Sequence, residues 1–159
     1  MAEVMSGTVA APAVGQDFWS RVRSDPAFAA FWILRVGFVV LPLWMGVDKF
    51  FNVLTEWPGY LAPWIVDLLP FSAQTAMYIV GVVEIIAGIA VAIKPRYASY
   101  VVALWLAAII VTLLTYSGFY DVALRDFGLL VAALALSRLA AIYDTPWGAS
   151  STSRAARPM

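Results

Sequence analysis

The stretch AQTAMYIVGVVEIIAGIAVAI, residues 73–93, decides the fold because it is long and apolar enough to cross a membrane yet carries a carboxylate near its middle. Glu84 has about ten apolar or small residues on either side. As a helix rising ~1.5 Å per residue, the stretch is about 30 Å long, which matches the hydrocarbon core of a bilayer. Inserting a charged side chain into the bilayer at that depth costs at least ~2.5–3.5 kcal/mol of free energy. Such a residue therefore persists only when it is ion-paired, hydrated or needed for function. The stretch predicts a membrane bundle with a polar interior.

Three more apolar runs extend this prediction to the whole chain. Hydrophobic residues make up 63% of the sequence and charged residues 13%, with a mean hydropathy of +0.85, whereas soluble domains are ~45–50% apolar and ~25% charged. We therefore predict an all-α, antiparallel up-down four-helix bundle in the membrane. Residues 1–26 and 144–159 are predicted to be disordered tails. The predicted spans cover about residues 27–51, 73–93, 97–116 and 122–143.

The distribution of Lys and Arg predicts the orientation of the bundle. Cytoplasmic segments carry an excess of these residues. One predicted side holds only Lys49 and Arg125, whereas the other holds Arg21, Arg23, Lys94, Arg96, Arg138, Arg154 and Arg157. Both termini are therefore expected in the cytoplasm, in a multi-pass protein of the inner (plasma) membrane.

Missing residue types narrow the function classes. The chain has no Cys and no His, so it lacks the usual ligands of haem, zinc and copper, the usual general base and any disulfide. No metal site is therefore predicted. Net charge is zero with no basic stripe, which argues against a nucleic-acid partner. Any redox role must use a bound organic cofactor or a partner subunit.

Six charged residues in or beside the spans are the candidate polar site. Arg35 and Glu84 fall at matching depth, ~12 Å and ~13–14 Å from the predicted cytoplasmic ends, and are expected to form an ion pair. Such a pair either fixes the helix register or lines a cavity for a polar headgroup or a proton path. Toward the outer side, a second and wetter network is expected from Asp48, Lys49, Arg125 and Asp126.

Small and aromatic residues complete the expectations. Gly81 and Gly88 lie on one stripe with Glu84 and predict close helix packing, as does Gly128 in the fourth span. The third span has no charge and is expected to be the most lipid-exposed. In the loop before the second span, the aromatic residues expected to anchor the chain at the headgroup level are Trp57, Tyr60 and Trp64.

Three elements, in order, resemble the DoxX/DoxD family over roughly residues 30–140. They are the Arg and Gly-x-x-Lys of the first span (LRVGF at 34–38, GVDKF at 46–50), Gly-x-x-Glu-x-x-x-Gly in the second (81–88), and Arg-Asp-x-Gly in the fourth (125–128). The loop rich in Trp and Pro is longer than expected for the shortest members. The resemblance implies a four-helix inner-membrane protein associated with redox complexes, some of which are thiosulfate:quinone oxidoreductases. Its matching positions are Arg35, Lys49, Glu84, Arg125 and Asp126.

Three functions are compatible with these observations. The first is a membrane subunit of a quinone-linked oxidoreductase, with quinone as its non-covalent cofactor, a partner subunit carrying the electrons, and a lipid-accessible cavity beside Arg35 and Glu84. The second is a scaffold that assembles a larger membrane complex and has a dry, packed interior. A small transporter is the third, and it requires homo-oligomers because four helices without an internal repeat form no transport path alone.

Overall fold

The structure, a computed structural model, describes residues 17–144, and the regular structure of these residues is entirely helical. The predicted disorder of residues 1–16 and 145–159 lies outside the described part of the chain. Four helices are long and apolar enough to cross a membrane: α2 (Pro26–Asp48), α4 (Ala73–Ile93), α5 (Pro95–Leu114) and α6 (Tyr120–Tyr143). Shorter elements are α1 (Phe18–Ser24), α3 (Pro63–Leu68) and a 3-10 turn at Trp57–Tyr60.

The N-terminal helix α1 corrects part of the predicted tail. Phe18 packs edge-to-face on Phe28 and Trp32, with ring centroids 5.7 and 5.4 Å apart. Asp25 then caps α2, accepting hydrogen bonds from the backbone N–H groups of Ala27 and Phe28, both at 3.0 Å. Composition alone suggested disorder, but the aromatic residues of this segment find apolar partners on α2.

Helices α2 and α4 pack so closely that glycine is required at their contact. A Cβ built on Gly46 would lie 2.7 Å from the carbonyl oxygen of Gly81, and one on Gly81 would lie 2.6 Å from the carbonyl oxygen of Gly46. One on Gly88 would lie 3.1 Å from the carbonyl oxygen of Val39. As residue numbers rise along α2, the contacting numbers fall along α4.

Helices α5 and α6 form the second close pair. α2 also contacts α6, and α4 also contacts α5, so the four long helices form a closed ring of neighbours. Seven residues of α5 are buried, against five in each other long helix, so the expectation that the third span is the most lipid-exposed is wrong. Absence of charge did not indicate lipid exposure, because α5 uses small residues such as Ala98, Ser99 and Ala103 to approach its neighbours.

Candidate functional site

A buried ion pair joins α2 and α4 at the end of α2. Lys49 Nζ lies 2.6 Å from Glu84 Oε2, and the two side chains are only 5% and 15% exposed. Gly81 lies one turn from Glu84 on α4. A Cβ added to Gly81 would lie only 3.2 Å from the Cβ of Lys49, so the two residues are in close contact. The close glycine contact therefore brings the two charged residues together.

The predicted Arg35–Glu84 ion pair is wrong. Arg35 Nη2 donates a hydrogen bond to the carbonyl oxygen of Ala92 at 2.6 Å, and its Nη1 lies 3.7 Å from Asp144 Oδ1. Ala92 is in the last turn of α4, where carbonyl groups have no partner within the helix. Arg35 thus caps the end of α4 instead of neutralising a carboxylate at its middle.

Helix register explains this difference. The prediction aligned the ends of the first two spans, but the glycine contacts pair residue 46 with 81 and residue 39 with 88. The same register places Ile93, the end of α4, beside residue 34 of α2, so the first two turns of α2 extend ~12 Å beyond α4. Side chains on a helix also point toward its N-terminus. Lys49 therefore reaches back toward Glu84, whereas Arg35 reaches away from it.

Asp48 folds the following loop over Lys49. Its carboxylate is buried and accepts hydrogen bonds from the backbone N–H of Leu54, at 3.1 Å, and from the indole Nε1 of Trp57, at 2.7 Å. The Trp57 ring lies over Lys49, with Nζ 3.7 Å from the ring centroid. Trp57 is 8% exposed, so it packs over the ion pair and presents little surface to lipid headgroups.

The remaining charges of the predicted outer network divide into two groups. Arg125 Nη2 bonds to Asp121 Oδ2 at 2.7 Å, and its side chain is 73% exposed, so Arg125 is not part of the cluster. Asp126 is half-buried and lies close enough to Lys49 and Glu84 to interact with both electrostatically. Within residues 17–144 it has no hydrogen bond or ion pair. We define Asp48, Lys49, Trp57, Glu84 and Asp126 as the polar cluster.

Two polar residues that sequence reasoning missed support the polar cluster. Asn52 Nδ2 donates to Gln74 Oε1 at 2.9 Å, and Gln74 Nε2 donates to the carbonyl oxygen of Lys49 at 3.2 Å. Asn52 adopts the left-handed conformation, φ 52°, just after α2, which Asn tolerates better than most residues. Their signal in the sequence was weak: each is a polar residue near the end of an apolar run.

The loop aromatics also attach the loop to the end of α5. Trp64 Nε1 donates to Thr115 Oγ1 at 2.9 Å, and the Tyr116 hydroxyl donates to the carbonyl oxygen of Tyr60 at 2.6 Å. Burial raises the pKa of Tyr116 above its ordinary value, and neighbouring Tyr60 adds to this shift. The loop is thereby attached to α5 on one side and to Asp48 on the other, and it holds Trp57 in place.

Of the predicted packing glycines, Gly81 and Gly88 lie at the α2–α4 contact, but Gly128 does not lie at a helix contact. A Cβ on Gly128 would meet nothing within 4 Å, and the residue is exposed on α6. Small residues on α6 were expected to face a neighbour, yet this one faces outward.

Comparisons with protein families, with curated proteins and with solved structures found no match. In the described range 17–144, no group of three or more His, Cys, Asp or Glu side chains is placed to hold a metal ion. The polar cluster contains one ammonium group and three carboxylates. That of Asp48 accepts hydrogen bonds from the loop and from Trp57, whereas those of Glu84 and Asp126 can hold and release a proton.

Proposed function

We propose that the chain is a multi-pass protein of the inner (plasma) membrane, an antiparallel up-down bundle with both termini in the cytoplasm. Four long apolar helices support this arrangement. So do the contacts between α2 and α4, because residue numbers fall along α4 as they rise along α2. The short Lys94 connection between α4 and α5 also favours reversal of direction at that point. The excess of Lys and Arg on one side supports the orientation.

Single cysteines test this topology, because the chain contains none of its own. Asp67→Cys and Arg96→Cys place thiols at exposed positions in segments predicted to lie on opposite sides. A membrane-impermeant maleimide added to intact cells should label position 67 and should reach position 96 only after permeabilisation. The opposite pattern would reverse the orientation, and labelling of both positions in intact cells would contradict the bundle topology.

We further propose that the chain is a membrane subunit associated with a quinone-linked oxidoreductase, and that its polar cluster exchanges the proton that accompanies quinone chemistry. The observation that carries this proposal is the composition of the cluster interior. Lys49 neutralises Glu84, and Asp126 adds a second carboxylate without a partner among residues 17–144. With Asp48, whose carboxylate is held by the loop and Trp57, the fully ionised cluster carries two net negative charges among apolar helices. Uptake of one proton by Glu84 or Asp126 reduces this excess.

The redox assignment comes from the resemblance to the DoxX/DoxD family. Reduction of a quinone to a quinol takes up two electrons and two protons. The chain has no Cys and no His, so a partner subunit must supply the electrons. The groups it can contribute are the carboxylates and ammonium of the polar cluster, as hydrogen-bonding and proton-exchanging groups.

Quinone retention in matched variants tests the proposal. The protein is purified in mild detergent and its extracted quinone is quantified for the wild type, Glu84→Gln, the double variant Lys49→Met/Glu84→Met, and the control Asp121→Asn. Removing one partner of a buried pair leaves an uncompensated charge, whereas replacing both with apolar groups is often neutral or stabilising. The double variant therefore separates loss of the site from loss of the fold.

Quinone in the wild type and Asp121→Asn samples, but not in a folded double variant, would support the proposal. Equal quinone in the double variant would overturn the role of the polar cluster. Absence of quinone from every sample, with partner proteins retained, would overturn the quinone association itself.

A second candidate function is a membrane subunit that assembles a larger complex without taking part in chemistry. The close contact between Gly46 and Gly81 favours it, because the Lys49–Glu84 pair lies directly beside that contact and can serve to fix the helix register. Under this hypothesis the double variant keeps its partners and its stability.

A further inference from the structure

A shallow groove of about 260 Å³ lies on the side of α2 that faces the end of α4. Its apolar wall is formed by the side chains of α2 one to two turns beyond Arg35. The lining residues are Trp32, Arg35, Val36, Val39, Val40 and Ala92. Val36 and Val40 are exposed, so in a bilayer the groove opens to lipid chains.

Arg35 forms the polar end of this groove. Its guanidinium has five N–H donors, and the described residues use one in a hydrogen bond to Ala92. Among residues 17–144, the Asp144 carboxylate forms an ion pair with Arg35 at 3.7 Å, which is outside hydrogen-bond distance. The guanidinium also lies over the Trp32 ring, 5.1 Å from its centroid. Arg35 is therefore fixed in direction, and within residues 17–144 several of its N–H donors make no hydrogen bond.

Helix register places this end of the groove near the membrane surface. Ala92 lies two residues before Lys94, and the Lys94 connection to α5 is exposed, as is Arg96. A cationic side chain at that level attracts anionic headgroups, whose phosphates bind Arg in a bidentate manner. The indole nitrogen of Trp32, at the groove wall, is buried without a hydrogen-bond partner in the range 17–144.

We propose that this groove binds an anionic phospholipid, with the phosphate on Arg35 and an acyl chain along Val36, Val39 and Val40. The guanidinium N–H groups that make no hydrogen bond among residues 17–144 bind the phosphate, and the exposed cations Lys94 and Arg96 nearby favour an anionic headgroup. The apolar wall selects the chain. The inference rests on the proposed membrane location, which the cysteine labelling tests independently. It does not depend on the quinone proposal, because the groove does not include the polar cluster.

Native mass spectrometry of the detergent-purified protein with phosphatidylglycerol or phosphatidylcholine added tests this site. Arg35→Gln removes the cation, whereas Val36→Trp fills the groove and keeps the cation. Arg125→Gln removes an equal charge from an exposed position outside the groove. We expect Arg35→Gln to bind phosphatidylglycerol about tenfold more weakly than the wild type, which is the loss of one charge-assisted contact. Val36→Trp should also lose phosphatidylglycerol binding, because the new side chain occupies the place of the acyl chain. Arg125→Gln should match the wild type.

Three results would overturn the proposal. They are equal binding of both lipids by the wild type, unchanged phosphatidylglycerol binding in Val36→Trp, and displacement of the lipid by inorganic phosphate at millimolar concentration. The last result would show that the site binds phosphate alone and that the acyl chain contributes nothing. Arg35 also caps α4, so Arg35→Gln could fold poorly. Val36→Trp leaves the Arg35–Ala92 hydrogen bond in place and therefore tests the groove in that case as well.

Discussion

Replacing Gly81 with alanine should separate α2 from α4 and weaken the Lys49–Glu84 pair. The new Cβ would lie 2.6 Å from the carbonyl oxygen of Gly46. Carbon–oxygen contacts between packed helices are ~3.3–3.6 Å, so the two backbones must move apart by about 0.7–1.0 Å at this point. The obstacle is backbone, which cannot rotate away as a flexible side chain can.

The expected cost follows from overpacking. Inserting a methyl group into a well-packed contact typically costs about 1–3 kcal/mol. The same movement would stretch the 2.6 Å contact between Lys49 and Glu84 beyond the ~2.7–2.9 Å range of charge-assisted hydrogen bonds. Gly81→Ala should therefore lower the stability of the bundle and loosen the polar cluster together.

A graded series of glycine variants makes this prediction sharp. Gly46→Ala should resemble Gly81→Ala, because its Cβ would lie 2.7 Å from the Gly81 carbonyl oxygen. Gly88→Ala should cost less, since its closest contacts are at 3.1 Å. Gly37→Ala and Gly128→Ala meet nothing within 4 Å and should be neutral or stabilising by up to ~1 kcal/mol, because Ala favours the helix.

The assay is denaturant or thermal unfolding of the purified variants in one detergent, followed by circular dichroism. Destabilisation that follows the order of the contact distances would support the packing described above. If Gly81→Ala were as stable as Gly128→Ala, the close contact between α2 and α4, and with it the register that separates Arg35 from Glu84, would be refuted.

Three further outcomes are expected. Trp57→Phe keeps a ring over Lys49 but deletes the donor to Asp48, so the loop should be cleaved faster by protease while the helical content stays unchanged. The N–H of Phe28 and the Tyr143 hydroxyl lower the pKa of Asp25, so the Asp25 cap of α2 and its bond to α6 should weaken as pH falls below the ordinary value of about 3.8. Tryptophan fluorescence should follow this pH dependence, and Tyr143→Phe should reduce it. Because burial raises the pKa of Tyr116, its phenolate should form at higher pH than those of exposed tyrosines, and ultraviolet titration of Tyr116→Phe should show a smaller late component than the wild type.

Helix positions could be predicted from the sequence because they depend on local hydropathy. The second span was expected at 73–93 and α4 occupies Ala73–Ile93, while the first was expected to reach residue 51 and α2 ends at Asp48. The difference arises because the Asp48 carboxylate bonds to the loop that follows, which turns the chain away from the helix axis. Such a contact depends on tertiary structure and leaves little trace in composition.

Charge pairing could not be predicted, since it depends on how far one helix slides along its neighbour. A prediction that aligned helix ends paired Arg35 with Glu84, whereas the glycine contacts shift α4 by about eight residues relative to the start of α2. Gly81 and Gly88 lie at the α2–α4 contact, but their spacing on α4 does not identify Gly46 as the partner of Gly81. A register that pairs Gly46 of α2 with Gly81 of α4 places Lys49, not Arg35, beside Glu84.

The same register makes the two proposed sites physically independent. Arg35 and Lys49 lie fourteen residues apart on α2, about 21 Å along the helix axis, and both side chains point toward its N-terminus. Lys49 and Glu84 form an ion pair, and substitutions more than ~7–10 Å apart usually have additive effects on stability. The tight Gly46–Gly81 contact also lies beside the polar cluster and far from the groove. Arg35→Gln should therefore weaken lipid binding without changing the quinone content. A Glu84 variant should lose quinone without changing lipid binding in the groove.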